Sequence, residues 1–131
     1  MDLNLKEYVD ESHKYYILVP LNENGEEQLY NYDFYDDKGG VNSNFKFMMF
    51  NEETFLYMEK RLLDFINVEC DVLINMYEEE ILEHEQLPKA RQTIEKVLRN
   101  TDDKRLIEFA CELEDLIDFA VENKKEVGFY F

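Results

Sequence analysis

The stretch DKRLIEFACELEDLIDFAVENKKEVGFYF, residues 103–131, decides the class of fold. Its first part predicts a helix from Asp103 to about Asn123, because apolar residues recur every three or four positions and form one stripe. That stripe consists of Leu106, Phe109, Ala110, Leu113, Leu116, Ile117 and Ala120. Lys124 and Lys125 suit the negative end of the helix dipole. The closing EVGFYF alternates as a strand does and can return to a sheet, so the stretch predicts an α+β fold.

The first fifty residues carry the signals of an antiparallel sheet. Three runs predict strands: residues 15–21 (YYILVPL), 28–35 (QLYNYDFY) and 44–50 (NFKFMMF), the last with Phe45, Phe47 and Met49 on one face. Two turn signals separate them, NENG at 22–25 and DDKGG at 36–40. Pro20 indicates a strand end or a sheet edge. We therefore expect a three-stranded meander, while residues 3–11 fit either a short helix or an extra strand.

After Phe50 the apolar period changes to that of helices. Asn51 is a suitable N-cap, with Glu52 and Glu53 in the first turn. The apolar side of this first long helix consists of Phe55, Met58, Leu62, Ile66, Leu73, Met76 and Tyr77. The pattern runs to about Glu85 and allows a break near Asn67.

Two shorter signals divide the rest of the helical half. Pro88 begins the next helix, whose apolar positions are Ala90, Ile94, Val97 and Leu98. Asn100 ends it, and Thr101 or Asp102 caps the last helix. The predicted fold is a single α+β domain, residues 1–131. An antiparallel N-terminal sheet of three to four strands packs against three or four C-terminal helices, with a C-terminal strand.

The net charge of −17, from 31 acidic and 14 basic residues, restricts the partners of this chain. Such a surface repels the phosphates of nucleic acids and the head groups of anionic membranes, so direct binding to either is not expected. It favours association with basic proteins. The N-terminal MDLNLKEYVD has no basic segment followed by an apolar one, so we expect a cytoplasmic protein. Cys70 and Cys111 fall among apolar helical positions and are expected to be buried free thiols.

Metal and catalytic motifs fail at the level of spacing. In YEEEILEHEQ, residues 77–86, a helix would place Glu80 and His84 on one face, but position 81, three before the histidine, is an isoleucine. The other histidine, His13, is distant, and NYDFYDDKGG, residues 31–40, lacks the glycine of a calcium loop. There is no glycine-rich phosphate loop and no serine or cysteine in a triad arrangement. We expect no metal, no cofactor and no enzymatic activity.

The distribution of charge indicates a protein-binding surface. From Leu62 to Pro88 there are eight acidic residues and no base, and from Tyr15 to Asp37 six acidic residues and no base. Surfaces that serve solubility alone normally mix both signs. Tyrosine, a favoured interface anchor, accompanies both runs, although strand packing explains Tyr30 and Tyr32 better than binding does. The candidate partner-binding residues are Tyr77, Glu78, Glu79, Glu80, Glu83, His84 and Glu85, and in a second segment Asp33, Tyr35, Asp36 and Asp37.

The closing segment LEDLIDFAVENKKEVGFYF, residues 113–131, resembles the ends of small bacterial immunity proteins of polymorphic and contact-dependent growth-inhibition toxin systems. The acidic YEEEILEHEQLPKA, residues 77–90, is similar to segments of the same group. The resemblance implies an inhibitor that binds a cognate toxin domain, often a basic nuclease. The alternatives are an acidic mimic of nucleic acid that inhibits a DNA- or RNA-binding protein, a small scaffold or regulatory subunit, and an enzyme that uses clustered carboxylates.

Overall fold

The structure, a computed structural model, describes residues 14–75 and 79–131. Four strands form one antiparallel sheet in the order β2-β1-β4-β3. They are β1 (Lys14–Pro20), β2 (Phe45–Asn51), β3 (Glu80–Leu82) and β4 (Val127–Tyr130). The helices are α1 (Glu23–Tyr30), α2 (Glu52–Met58), α3 (Asp64–Cys70), α4 (Leu87–Arg99) and α5 (Lys104–Asn123). A π-helical turn, Glu59–Leu63, joins α2 to α3, and a 3₁₀ turn, His84–Gln86, precedes α4.

The main core lies between one face of the sheet and helices α2 to α5. The strands alternate, so Ile17 and Val19 of β1 point into this core while their neighbours point to the other face. The predicted stripe of α5 is buried along its whole length, with Leu113 at the centre. Phe55, Leu62, Leu116 and Ile117 are also buried, as expected. The α+β fold predicted from the sequence is confirmed.

A smaller apolar cluster lies on the opposite face of the sheet, beneath α1. It consists of Tyr16, Leu18, Leu29, Phe34, Phe45 and Tyr130. The hydroxyl of Tyr130 donates a hydrogen bond to the carbonyl oxygen of Leu29. Gly128 permits the close approach of α1, because a Cβ there would lie 2.7 Å from Cδ1 of Leu29 and 2.6 Å from Cε2 of Tyr130. The end of α1 is therefore held beside β4 and β3.

Several predicted elements are confirmed with small shifts of their bounds. The Asn51 side chain accepts a hydrogen bond from the N–H of Thr54 at 2.9 Å and begins α2. Pro88 lies in the first turn of α4, and Asn100 ends that helix. The C-terminal strand does return to the sheet, where β4 lies between β1 and β3. None of the helices in the described parts of the chain is long and apolar enough to cross a membrane.

The predicted hairpin at NENG and the strand over residues 28–35 are wrong. Asn22 caps a helix instead, since its side-chain oxygen accepts a hydrogen bond from the N–H of Gly25 at 2.8 Å. Gly25 serves packing, because a Cβ there would lie 2.5 Å from the carbonyl oxygen of Asn44. Of the predicted strand, only Tyr35 makes a β-bridge, to Val41. The expected meander is therefore wrong in its order, and β2 pairs directly with β1.

The long helix predicted from residue 51 to about Glu85 ends at Cys70. Asn67 accounts for the turn, because its side-chain amide bonds both the N–H and the carbonyl of Ile74, at 2.7 and 3.0 Å. Asp71 follows in the left-handed conformation, and Leu73, expected in the core, is 65% exposed. Residues 1–13 and 76–78 lie outside the described residues. The predictions for residues 3–11 and for Met76, Tyr77 and Glu78 concern residues in these two segments and stay predictions.

Two smaller expectations also need correction. Asp103 caps α5, in place of Thr101 or Asp102, by accepting hydrogen bonds from the N–H groups of Arg105 and Leu106. Both cysteines are free, as expected, but only Cys70 is buried, because Cys111 lies on the outer side of α5. Burial raises the pKa of the Cys70 thiol above its ordinary value.

Candidate functional site

Helix α1 ends in a strained turn that presents Tyr32 to the surface. The N–H of Asp33 donates to the carbonyl oxygen of Gln28 at 2.9 Å, which closes a Schellman motif around the cap residue Asn31. Tyr32 then takes the left-handed position, with φ of 57°, where glycine is usual. Its ring packs edge-on against Tyr130, with ring centroids 5.5 Å apart, and 57% of the residue remains exposed.

Four carboxylates from three segments of the chain lie near enough to Tyr30 to act on its hydroxyl. Glu26 lies one turn earlier on α1, Glu83 and Glu85 follow β3, and Glu126 precedes β4. Partial burial and then the negative charges of these four groups raise the pKa of the Tyr30 hydroxyl. Tyr30 is 52% exposed and Glu83 and Glu85 are exposed, whereas Glu26 and Glu126 are half-buried, so part of the group is open to a partner.

The pairing of β3 with β4 brings these carboxylates together. Leu82 pairs with Val127 in the antiparallel register, which places Glu83, just after Leu82, beside Glu126, just before Val127. Glu83 also forms a capping box with Gln86 at the start of the 3₁₀ turn. One base enters the group, Lys125, whose Nζ lies 2.7 Å from Oε1 of Glu26. The remaining three carboxylates have no ion pair among the described residues.

Two buried polar atoms in or beside this group of carboxylates are Nε2 of His84 and Oε2 of Glu126. Neither has a hydrogen-bond partner among the described residues. A buried polar group without a partner costs about 1–3 kcal/mol. Like charges at short range add to that cost. The buried atoms and the neighbouring like charges therefore make this group of carboxylates a costly arrangement.

A small cleft of about 180 Å³ extends this surface toward the second predicted segment. Its lining consists of Lys14, Tyr32, Phe34, Tyr35, Glu79, Tyr130 and Phe131. Burial and then the nearby Tyr32, Glu79 and Tyr30 raise the pKa of Tyr130. We call the combined surface the tyrosine face; it is formed by Tyr30, Tyr32, Tyr35, Glu26, Glu79, Glu83, Glu85 and Glu126.

The fold brings parts of both predicted segments into the tyrosine face. Glu79, Glu83 and Glu85 come from the segment at 77–86, and Tyr35 comes from the segment at 33–37. The Tyr35 ring stacks on Phe34, with centroids 4.4 Å apart, and partial burial raises the pKa of its hydroxyl. Glu26 of one acidic run and Glu79, Glu83 and Glu85 of the other thus lie on one side of the molecule.

Other predicted residues have structural roles or lie elsewhere. Glu80 and His84 do not share a helical face, because Glu80 is in β3, where its carboxylate accepts a hydrogen bond from the N–H of Leu73 at 2.9 Å. Asp36 shapes the turn after Tyr35, since its Oδ1 accepts hydrogen bonds from two backbone N–H groups, those of Lys38 and Gly40. Asp33 and Asp37 are exposed beside the face. The remaining predicted residues, Tyr77 and Glu78, lie outside the described residues.

Sequence reasoning missed Glu26, Glu126 and the surface role of Tyr30 and Tyr32. The register of β3 and β4 brings Glu126 to Glu83, and the packing of α1 on β4 brings Glu26, Tyr30 and Tyr32 to them; neither can be read from the sequence. It also missed a second acidic surface, the outer side of α5. From Leu106 to Asn123 there are six acidic residues and no base: Glu108, Glu112, Glu114, Asp115, Asp118 and Glu122. The sequence contains this acidic run in full, but only the apolar stripe of the same helix was interpreted.

The chemistry open to the tyrosine face is cation binding through charge and hydrogen bonds. In residues 14–75 and 79–131 no group of three or more His, Cys, Asp or Glu side chains is arranged to hold a metal ion. Aromatic hydroxyls beside carboxylates suit lysine and arginine side chains, which bind carboxylates strongly and stack on aromatic rings.

Comparison with known proteins gives one relevant similarity. No protein-family model matches the chain, and no curated protein matches it. Among solved structures, the chain is similar to the Neisseria DNA mimic protein DMP12, with a TM-score of 0.55 and 15% sequence identity. The similarity covers 91% of this chain and 100% of that one. At this identity the comparison shows a shared fold.

Proposed function

We propose that this protein is a non-catalytic inhibitor that binds the DNA-contacting surface of a basic protein and thereby displaces DNA. The observation that carries this proposal is the convergence of Glu26, Glu83, Glu85 and Glu126 on the exposed Tyr30. A partner that binds DNA offers arginine and lysine side chains arranged for phosphates. Carboxylates fixed on a folded surface can bind those arginine and lysine side chains in place of phosphates.

The spacing of charge along α5 supports mimicry of a DNA strand. Its six carboxylates extend from Glu108 to Glu122, a length of roughly 21 Å at 1.5 Å per residue. This corresponds to about one negative charge per 4 Å of helix axis, near the roughly 3.4 Å per phosphate of a single DNA strand. One of the six, Asp118, forms an ion pair with Nε of Arg91, which leaves five carboxylates along the helix for a partner.

The similarity to a protein described as a DNA mimic supports the same proposal. The shared fold covers nearly the whole chain, so the corresponding sheet and helices are available to carry charge in a similar arrangement. The tyrosines add what a row of charges lacks. They supply apolar area with a hydroxyl and so can anchor a protein interface.

The second candidate function is immunity against a toxin. It is supported by the resemblance of residues 113–131 to the ends of immunity proteins and by the order of elements there, a helix, a turn at Lys124 and a terminal strand. A nuclease toxin also has a basic surface for DNA, so both candidates require the same kind of contact. They differ in the partner, which is a toxin in one case and a host or phage DNA-binding protein in the other.

The proposal is tested with a captured partner and a matched pair of charge variants. The immobilised full chain should retain a basic protein from a lysate of its host, and duplex DNA added in excess should compete for that protein. Glu79→Lys/Glu85→Lys changes two exposed residues at the tyrosine face, and we expect it to weaken binding by about 2–5 kcal/mol, because it leaves cationic groups of the partner unpaired. Isothermal titration measures the affinity.

The control is Asp64→Lys/Asp102→Lys, which alters two exposed carboxylates away from the face. Both double variants carry a net charge of −13 instead of −17. Equal losses in both would mean that only total charge matters and would contradict a role for the tyrosine face. A captured partner that binds the chain and DNA at the same time would refute displacement of DNA. Inhibition of a toxic nuclease by the chain would favour immunity.

A further inference from the structure

Strand β2 is an edge strand of the sheet formed by residues 14–75 and 79–131. The N–H of Leu21 donates to the carbonyl oxygen of Asn44 at 2.8 Å, one step beyond the pairing of Pro20 with Phe45. Bonded and non-bonded pairs alternate in an antiparallel ladder. The backbone groups of the odd-numbered positions 45, 47 and 49 therefore point away from β1. No described residue is hydrogen-bonded to them.

The same positions expose apolar side chains in a stretch of sequence that has no acidic residue. Phe47 is 42% exposed and Met49 is 51% exposed. Residues 38–51 contain no aspartate or glutamate, and this is the longest acid-free stretch of the sequence. Another strand could pair along this edge without burying a carboxylate. Exposed apolar edge strands of this kind are a template for pairing with another chain.

One flank of α5 runs beside this edge. Nζ of Lys46 lies 5.0 Å from the ring centroid of Phe119, and the rings of Phe50 and Phe109 are 5.1 Å apart, so α5 and β2 run in opposite directions. Asp115, Glu112 and Glu108 precede Phe119 by 4, 7 and 11 residues, the spacing of a single helical face. All three are exposed, and none has an ion pair among the described residues.

We propose that the outer edge of β2 binds an extended, basic segment of the protein partner as an added strand. This rests on the proposed function. The segment alternates apolar and basic residues. Its apolar side chains pack on Phe47 and Met49, and its basic side chains reach Glu108 and Glu112 beside the Met48–Phe50 half of the strand. A second copy of this chain fits less well, because two acidic α5 flanks would come together on the same side of the joined sheet.

Hydrogen exchange of the free, full-length chain is the first test. The amides of Phe47 and Met49 should exchange at least about tenfold faster than those of Met48 and Phe50, which bond to β1. Slow exchange at 47 and 49 in the free chain would overturn the proposal, since the edge would already be covered by a second copy or by residues 1–13. Sedimentation at the same concentration separates those two causes.

The probe for the added strand is a synthetic ten-residue peptide of alternating lysine and valine. Its control is a peptide of the same composition with the five lysines and five valines in separate blocks. The alternating peptide should slow exchange at the amides of Phe47 and Met49, and the block peptide should not. No protection by the alternating peptide, or equal protection by both, would overturn the proposal.

Met49→Pro is the matching variant for the captured partner. It removes an N–H that points outward and so leaves the hydrogen bonds to β1 in place, whereas Met49→Thr keeps that N–H. We expect about tenfold weaker binding by the proline variant than by the threonine variant, equivalent to about 1.4 kcal/mol. Glu108→Lys/Glu112→Lys leaves the strand itself unchanged and should also abolish the protection of the Phe47 and Met49 amides by the alternating peptide. That readout does not depend on the DNA-like row of α5 and keeps the test valid if the proline variant fails to fold.

The outcomes separate this inference from the proposed function. Equal binding by Met49→Pro, Met49→Thr and Glu108→Lys/Glu112→Lys would refute strand addition, while a loss with Glu79→Lys/Glu85→Lys would still support the tyrosine face. Unchanged binding in all of these variants would refute both.

Discussion

Tyr32 has a backbone conformation that large side chains normally avoid. The left-handed region costs a residue with a Cβ about 1–2 kcal/mol, and glycine usually fills this position after a helix. The edge-on contact with Tyr130 returns part of that energy, about 0.5–1.5 kcal/mol. A strained residue that is also exposed beside a cleft and a group of carboxylates suggests a role in binding.

Replacing Tyr32 with glycine should therefore separate stability from binding. The variant removes the strain and the ring contact together, so we expect the free energy of unfolding to change by no more than about 1 kcal/mol. Affinity for the partner should fall at least about tenfold, the effect of losing one aromatic anchor. Urea denaturation and titration calorimetry on the same preparations measure the two quantities.

Lys124 provides the matched control, because it has the same left-handed conformation after α5, with φ of 56°, outside the tyrosine face. Lys124→Gly should stabilise the protein slightly and leave binding unchanged. If Tyr32→Gly destabilised by several kcal/mol while affinity stayed the same, Tyr32 would be a packing residue only.

At the scale of elements, the sequence predicts the helices that have complete apolar stripes and the strands that pack against them. The stripe of α5 and the cap at Asn51 are determined locally, by spacing and by one side chain. The segment at residues 80–86 depends instead on distant partners. Glu80–Leu82 becomes a strand because β4 offers a free edge, and glutamate-rich composition alone favours a helix.

The candidate site shows the same division. The acidic runs and the presence of tyrosine could be predicted, since both are properties of the sequence itself. That Glu83 and Glu126 would meet could not, because it depends on a register between residues more than forty positions apart. Asn22 also illustrates the limit. The pair Asn24-Gly25 can begin a hairpin, but here both residues lie in the first turn of α1, which Asn22 caps, and Gly25 packs closely against Asn44.

Gly128 tests how far α1 depends on β4. In Gly128→Ala the new methyl group would meet Leu29 and the ring of Tyr130 at less than 3 Å, so these side chains must move, and α1 with them where they cannot rotate. We expect a loss of about 1–3 kcal/mol in the free energy of unfolding, as in other overpacked sites. Partner binding should weaken as well, because Glu26 and Tyr30 move with α1. Chemical denaturation and titration calorimetry measure both effects.

Gly40→Ala is the control for this change. The nearest atom to a Cβ there is 3.5 Å away, in the side chain of Asp36, which is ordinary contact. Stability and binding should both stay close to those of the parent protein. A fully stable Gly128→Ala variant with normal affinity would mean that the small cluster beneath α1 can yield without moving the tyrosine face.

At the scale of the whole molecule, the excess of negative charge should make salt act in opposite directions on stability and on binding. Like charges four residues apart on a helix cost about 0.2–0.5 kcal/mol each. Helix α5 has three such pairs, Glu108/Glu112, Glu114/Asp118 and Asp118/Glu122. Screening of this repulsion should raise the free energy of unfolding by about 1 kcal/mol between 0.01 and 0.5 M sodium chloride.

Association with the partner should slow over the same range, because the Debye length falls from about 30 Å at 0.01 M to about 8 Å at 0.15 M salt. Denaturation curves and stopped-flow association rates measure the two trends. Glu112→Lys is the control for stability, since it converts one repulsive pair into an attractive one and should reduce the gain from salt. A partner whose association rate ignores salt would contradict electrostatic steering by the acidic surfaces.

The position of β4 in the sheet also has a consequence for synthesis of the protein. Tyr130 bonds to Leu29 across 101 residues of sequence, and β4 fills the space between β1 and β3. Contacts between such distant residues form slowly, because the chain must first close a long loop. A ribosome adds about 5–20 residues per second, so most of the chain is already outside it when β4 is synthesised. By residue 100 the nascent polypeptide carries 22 of its 31 acidic residues. The tyrosine face forms only when β4 joins the sheet, so binding of the proposed partner has to follow the addition of β4.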